Sequence, residues 1–391
     1  MPFLSVNPNV LLSPVADGYI AYHTTANRLH ELNPTAALLV ELCDGSRDAD
    51  AVLTIASPLL PPNSEAAVRG WIDQAVASGV LVEGNEAIVD GEVRELPADQ
   101  LSELACQLRS EGKVQAAYLC QDRATQLLPD NNAYWRELGE LAHIVGKRPE
   151  AREAYEHYMQ FCPDDAEVRH LLTSLRDDEA PARVPDECIK QLYERFSAFY
   201  DSNMCDELGY SGPEHLNSVV GEALGERRGL SVLDLGCGTG LAGLTLKDRA
   251  SRLIGIDLSA EMISRAEERG VYDHLQVAEI TEFLRSVTET FDLIIACDAL
   301  IYFGDLSQVI APAVKRLNAG GVIGFSVEAA SKPPWSLTDS GRYVHHADHV
   351  NEVAQAHGLE ATYREEFLRM EYGKEVTALY VTMTSGDPSD S

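Results

Sequence analysis

The residues best suited to chemistry lie in one short run, Val232-Leu233-Asp234-Leu235-Gly236-Cys237-Gly238-Thr239-Gly240. An apolar stretch ends in an acid and passes into glycines at every second position. That pattern predicts a buried parallel strand opening into a turn where a ligand lies against bare backbone. A second apolar run, Leu253 to Ile256, ends in Asp257, twenty-three residues beyond Asp234. An acid at that point can take both hydroxyls of a ribose. The two runs together predict a nucleoside-type cofactor site. On these residues alone, nicotinamide and S-adenosylmethionine (SAM) are both open.

The elements that must position this run alternate from Asp186 onward, predicting a doubly wound α/β sheet. Strands are expected at 231–235, 252–256, 274–278, 291–296, 321–327, 360–368 and 376–384. The last two follow each other without a helix, so 376–383 reads as a strand inserted antiparallel to its neighbours. The glycines fall as Gly-x-Gly-x-Gly, not the Gly-x-Gly-x-x-Gly of nucleotide dehydrogenases, and a cofactor without phosphate needs no pyrophosphate cradle. A Rossmann-like seven-stranded sheet with an antiparallel last strand resembles the class I SAM-dependent methyltransferases.

Three further blocks resemble the bacterial methyltransferases that carry tetratricopeptide repeats (TPR) at their N-terminus. They are Phe291 to Leu306, Gly-Phe-Ser-Val-Glu at 324–328, and Gly-Arg-Tyr-Val-His-His at 341–346. A leading helix with Tyr193, Phe196, Phe199, Tyr200 and Asp201, before Leu-Gly-Tyr-Ser-Gly-Pro at 208–213, is similar too. The resemblance implies SAM as cofactor. It implies that Gly236, Cys237 and Gly238 lie under its methionine half, with Asp234 ordering the ammonium. It places Asp257 on the ribose, Leu258 and Met262 beside the adenine, and Glu279 and Ile280 at the adenine edge. Ala296 and Cys297 would adjoin the methionine moiety, with Tyr193 counted among the cofactor residues. Glu279 sits in Ala-Glu-Ile where the family more often has Gly-Asp-Ala, which leaves its role open. Cys237 and Cys297 read as small packing residues in a tight site.

For the methyl acceptor, the candidates are Asp298 and Tyr302 after the fourth strand, and Tyr193 and Tyr200 from the lid helix. Glu328 and one ring of the pair His345/His346 join them. Asp298 has a second reading as a helix N-cap. His349 is expected on a helix surface. No carboxylate or cysteine completes a metal set with His345 and His349, so no metal is expected. A carboxylate acceptor would need no base, whereas an amine or thiol would need a histidine or Asp298 to remove a proton.

The remainder of the chain divides at two lapses into charge and proline, 92–98 and 177–185. Between them Pro129 and Pro163 stand 34 residues apart, with Leu104, Ala105, Gly112 and Ala117 matched by Leu138, Gly139, Gly146 and Ala151. A 34-residue period with small residues at helix crossings resembles tetratricopeptide repeats, with 166–176 as a capping helix. A plain helical linker would serve the same spacing role. The first segment carries strand-like pieces at 18–23 and 27–33, then a helix capped by Asn33 with Pro34 at its first position and ended by Gly45. Helical patterns follow at 49–57 and 65–78.

Leu-Asn-Pro-Thr-Ala at 32–36, Leu-Cys-Asp-Gly at 42–45 and the closing 75–82 resemble a PqqD-like domain, the winged-helix RiPP recognition element. The resemblance implies that the leader of a ribosomally made precursor peptide adds a strand beside 27–33, against the helix at 66–78. A winged helix kept only for packing is the other reading.

The 391 residues carry a net charge of −31, which disfavours nucleic acid, since each phosphate contact needs a cation. No run of about 18 apolar residues predicts a membrane span. The start lacks a secretion signal, and the eight cysteines show no metal or disulfide spacing, so a reduced, cytoplasmic location is expected. The resulting expectation is a winged-helix α+β PqqD-like domain at 1–92, α-helical TPR-like repeats at 93–184 and a methyltransferase domain at 185–391. It would methylate a precursor peptide held by its leader. A methyltransferase of a small metabolite or carrier-bound intermediate, with a vestigial first domain, is the alternative. A non-catalytic peptide-binding adaptor is a further one.

Overall fold

Leu293 and Ile295 pack on one face of a strand while Ile294 and Ala296 pack on the other. That double burial is why the strands of this half read as unbroken apolar runs. The computed structural model describes all residues except 1, 16, 17, 62, 63, 85–95, 177–179, 198, 199, 202, 203, 206, 207, 372, 373 and 386–391. Phe199 and parts of both expected linkers lie outside the described residues, as does the side chain of Phe196. The chain forms two units, Met1–Phe161 and Cys162–Ser391.

In the first unit, β1 (Phe3–Val6), β2 (Val10–Val15), β3 (Gly18–His23) and β4 (Arg28–Leu32) precede α1 (Pro34–Leu42). The Asn33 side chain accepts from the Ala36 N–H at 2.9 Å, and Pro34 opens the helix. The helix stops at Leu42, and Gly45 instead belongs to β5 (Asp44–Asp48). Then come α2 (Ala49–Ala56), α3 (Glu65–Ala77) and β6 (Leu81–Gly84). Two three-stranded sheets result, in the orders β5-β1-β6 and β2-β3-β4. Among the described residues β4 pairs only with β3, so its other edge is open.

Helices α4 (Ala98–Ser110) and α5 (Val114–Leu127) form one packed pair, and α6 (Asn132–Ile144) and α7 (Arg148–Phe161) form a second. Each helix of the second pair begins 34 residues after its counterpart. At Gly139 a Cβ would stand 2.5 Å from the ring of Tyr155, so glycine is what lets α6 and α7 approach.

The second unit opens with α8 (Ala166–Leu175), α9 (Asp186–Phe196) and α10 (Gly212–Leu224). The segment expected to cap the repeats is therefore the first helix of the second unit. Next come β7 (Leu230–Leu235), α11 (Leu241–Leu246), β8 (Ala250–Asp257), α12 (Ala260–Arg269), β9 (His274–Val277), α13 (Ile280–Ser286) and β10 (Phe291–Ala296). The chain ends with α14 (Ser307–Val314), β11 (Leu317–Ala329), β12 (Trp335–Leu337), β13 (Tyr343–His345), α15 (Ala347–Ala356), β14 (Leu359–Glu371) and β15 (Lys374–Ser385).

The main sheet runs β9-β8-β7-β10-β11-β15-β14, and β15 is antiparallel to both its neighbours. All seven expected strands form, and the inserted final strand is as its spacing implies. β13 extends the far end of β11 in parallel, and β12 pairs antiparallel with β13. The chain leaves β7 toward β8 on one side and returns to β10 on the other. Their carboxyl ends therefore part at a topological switch point, where open α/β sheets bind ligands. No helix among the described residues is long and apolar enough to cross a membrane.

Candidate active site

The glycine turn after β7 lies at that switch point. Gly236 has φ +68°, and a Cβ there would stand 2.6 Å from the Cβ of Ala299. Gly238 has φ +54°, with open space where a side chain would begin. The backbone is thus bare on the ligand side, as the alternating glycines require. The Gly238 N–H donates to Asp257 Oδ2 at 2.9 Å, and the Ser259 N–H donates to Oδ1 at 2.9 Å. These bonds tie the end of β8 to the turn after β7. Burial pushes the Asp257 carboxyl above its ordinary value, and the surrounding backbone N–H groups oppose that shift.

Asp234 is fully buried at the end of β7. The Tyr272 hydroxyl donates to its Oδ2 at 2.7 Å, while Oδ1 has no partner among the described residues. Burial pushes its pKa to about 7. A buried carboxylate oxygen without a partner is costly, and a cationic donor such as an ammonium would satisfy it. The bare turn and the Asp257 carboxylate fit the ribose and the methionine half of SAM, and the orphaned Asp234 oxygen lies buried behind the turn.

A cleft of about 640 Å³ opens above the strand ends. Gly236, Gly238, Asp257, Leu258, Met262, Glu279, Ile280 and Cys297 line it, together with Asp298, Tyr193, Tyr200 and Tyr302. Asp234 and Cys237 are not in its lining; they sit buried behind the turn. Glu279 accepts from the Thr281 hydroxyl and the Glu282 N–H, capping α13, and from Arg183 at 2.8 Å. Burial alone would raise its pKa, but these donors together hold it below the ordinary glutamate value.

At the other end of the cleft stand three tyrosines and a buried charge cluster. The Tyr193 and Tyr302 hydroxyls are 2.8 Å apart, and the Tyr193 ring meets those of Tyr200 and Tyr302 edge-on. Burial raises the pKa of all three, so they remain neutral. The Tyr210 hydroxyl lies 3.4 Å from Cys297 Sγ. Asp298 has a left-handed backbone, φ +53°, held by its N–H bond to Ser326 Oγ at 2.8 Å. Its Oδ2 accepts from Arg369 at 3.3 Å, and its Oδ1 is buried without a partner among the described residues. Arg369 also binds Glu328 and Glu371, and Arg342 binds the same two acids. Burial raises the Asp298 pKa, Arg369 lowers it and Glu328 raises it again, with a net upward shift. Its only side-chain hydrogen bond among the described residues is to Arg369, so it does not cap a helix.

His345 and His346 are corrections, because neither lines the cleft. His345 is fully buried on β13, with Nε2 3.2 Å from the Gly304 carbonyl and its ring stacked on His349 at 5.9 Å. β13 runs beside the far end of β11, and this residue turns into the layer beneath α15. Burial, reinforced by His349, lowers its pKa to about 4, so it is neutral. His346 caps α15, its Nδ1 accepting from the Asp348 N–H at 3.2 Å. His349 is buried, not on a helix surface. Glu328 is consumed by the two arginines and is also outside the lining.

Sequence reasoning missed two residues that line the cleft, Arg183 in the segment taken as linker and Asp186 at the start of α9. It also missed Arg369 and Arg342. A charge inside the strand run Phe367-Leu368-Arg369-Met370 is the one local signal available, and a register shift between Phe367 and Arg369 accompanies it. Asp201, noted only as part of the lid helix, accepts from the Thr239 hydroxyl at 2.5 Å and from Arg269, latching the lid to the glycine turn.

Residues 232–321 match the family model described as a methyltransferase domain. The malonyl-[acyl-carrier protein] O-methyltransferase of Salmonella typhimurium is 26% identical over 183 residues, 47% of this chain and 70% of that protein. The protein of the same name from Pseudescherichia vulneris is 32% identical over 122 residues, 30% of this chain and 48% of its own length. The chain thus spans about half the length of some of the curated relatives it matches. The solved magnesium protoporphyrin IX methyltransferase of Synechocystis, with bound SAM, is 17% identical, covering 53% of this chain and 100% of its own, with a TM-score of 0.39. The glycine turn, its two acids and the family match make the second unit a class I SAM-dependent methyltransferase domain, with SAM as its cofactor.

Proposed function

We propose that the second unit methylates a small acceptor, either free or held on a carrier. The observation that carries this reading is the single cleft of about 640 Å³, shared by the cofactor residues and the Tyr193, Tyr200, Tyr302 and Asp298 end. The relatives named for acyl-carrier O-methylation support the same reading.

SAM supplies an activated methyl group on a sulfonium. The residues of this chain have the task of alignment and exclusion of water. Gly236 and Gly238 offer backbone, Asp257 accepts hydroxyls, and the tyrosines close the other end. Such positioning can lower a barrier by about 7–11 kcal/mol. The test is calorimetric titration with SAM, followed by mass spectrometry of candidate acceptors after incubation with the full-length protein. Failure to bind SAM with micromolar affinity would remove this reading.

A second reading, methylation of a ribosomal peptide, is favoured by one feature of the first unit. A groove of about 700 Å³ runs between the open edge of β4 and helix α3, lined by Leu29, His30, Glu31, Leu32, Trp71 and Gln74 among others. It coincides with the leader site that the PqqD-like resemblance implies at 27–33 and 66–78. Strand addition needs an open edge of this kind. The two consecutive helix pairs would then space the leader from the cleft. Turnover on a precursor peptide with and without its leader separates the readings, since equal rates would leave the groove without a role.

A further inference from the structure

Asp298, like the buried Asp234, keeps a carboxylate oxygen without a hydrogen-bond partner among the described residues, but unlike Asp234 it is in the cleft lining. Its side chain is only 7% exposed, Oδ1 has no hydrogen-bond partner among the described residues, and the residue lines the cavity. Its backbone is left-handed, an arrangement that costs energy and recurs where function requires it. The cluster behind it holds three carboxylates, of Asp298, Glu328 and Glu371, against two guanidiniums, of Arg342 and Arg369. Neither guanidinium lines the cleft. Among the described residues the lining carries Asp186, Asp257, Glu279 and Asp298 against one cation, Arg183, which Glu279 and Asp186 already engage. A carboxylate acceptor would meet no available cation there and would need no base. An ammonium would meet the Asp298 carboxylate and three neutral tyrosines, whose hydroxyl oxygens can accept from it.

We propose that the acceptor is a primary or secondary amine, bound as its ammonium between Asp298 and the wall of Tyr193, Tyr200 and Tyr302, and that Asp298 removes its proton before methyl transfer. This rests on the reading of the cleft as a methyltransferase site. An ammonium proton moves to Asp298 Oδ1, leaving a lone pair on nitrogen. That pair forms the new N–C bond to the methyl carbon as the C–S bond breaks and its electrons pass to sulfur. S-adenosylhomocysteine (SAH) and the methylated ammonium leave, and Asp298 returns its proton to water.

The test titrates the SAH-loaded, full-length protein with butylamine, pyrrolidine and phenethylamine, and with pentanoate, cyclobutanecarboxylate and 3-phenylpropionate. The same compounds are incubated with SAM and scored for the gain of one methylene. At least one amine should bind and gain it, and no carboxylate should. Asp298→Asn should weaken amine binding by about tenfold or more while shifting SAH affinity by less than about threefold, since one charge-assisted hydrogen bond is removed. Methylation of a carboxylate without any amine, or an unchanged amine affinity in the variant, overturns the proposal. Equal losses of SAH and amine would assign Asp298 to the cofactor and overturn it too. SAH binding with no response to any amine defeats the proposal but leaves the methyltransferase reading standing, whereas no SAH binding defeats both. If the variant does not fold, the amine-over-carboxylate preference of the unaltered protein decides.

Discussion

The Tyr193 hydroxyl lies 2.8 Å from the Tyr302 hydroxyl, joining α9 to the turn that follows β10. Both side chains stay protonated because burial disfavours their phenolates. Tyr302→Phe removes this bond and leaves the Tyr193 hydroxyl without its buried partner. A cost of about 1 kcal/mol is expected. It should appear in calorimetry as SAH affinity weakened about fivefold, with SAH still bound. An unchanged affinity would mean that the pair does not help close the cleft.

Asp257 ties the glycine turn to β8 by accepting from two backbone N–H groups while facing the cleft. Asp257→Ala strands both donors and deletes the acceptor for a ribose. SAM binding should weaken by about 10- to 100-fold, as expected for loss of charge-assisted hydrogen bonds. Equilibrium dialysis with labelled SAM provides the measure.

Gly236→Ala imposes two separate penalties. A left-handed backbone costs a non-glycine residue about 1–2 kcal/mol. The new methyl would also stand 2.6 Å from Ala299 Cβ. SAM binding should be lost in the single variant and partly restored in Gly236→Ala with Ala299→Gly, which relieves only the contact. Full restoration would show that the backbone angle is unimportant.

His345 should make the fold acid-sensitive. Its pKa is lowered from 6.5 to about 4, chiefly by burial and then by His349. Between those values the folded chain holds fewer protons than the unfolded chain. The contribution is therefore complete above about pH 6.5 and falls by about 3 kcal/mol as pH drops to about 4, with about 2 kcal/mol of it gone by pH 5. Urea midpoints at pH 7 and pH 5 should differ less in His345→Gln than in the unaltered protein.

The cofactor cradle was legible because it is local. Gly236, Gly238 and Asp234 lie within five residues, and Asp257 ends the very next strand, so strand periodicity and turn chemistry place them without tertiary knowledge. The seven strands were legible for the same reason. The acceptor end was not. Asp298 follows β10, Glu328 is on β11, Arg342 precedes β13, and Arg369 and Glu371 are on β14, so only the sheet order β10-β11-β15-β14 brings them together. His345 and His346 were misplaced because a strand pattern shows which residues alternate, not which layer a short added strand faces.

The sequence alone determined the cofactor class, through glycines that leave backbone bare and acids that end two adjacent strands. Tertiary structure decided which carboxylate is left without a partner. Burial and pairing depend on residues far apart in the chain, so Arg342 and Arg369 satisfy Glu328 and Glu371 while one oxygen of Asp298 is left for the cleft.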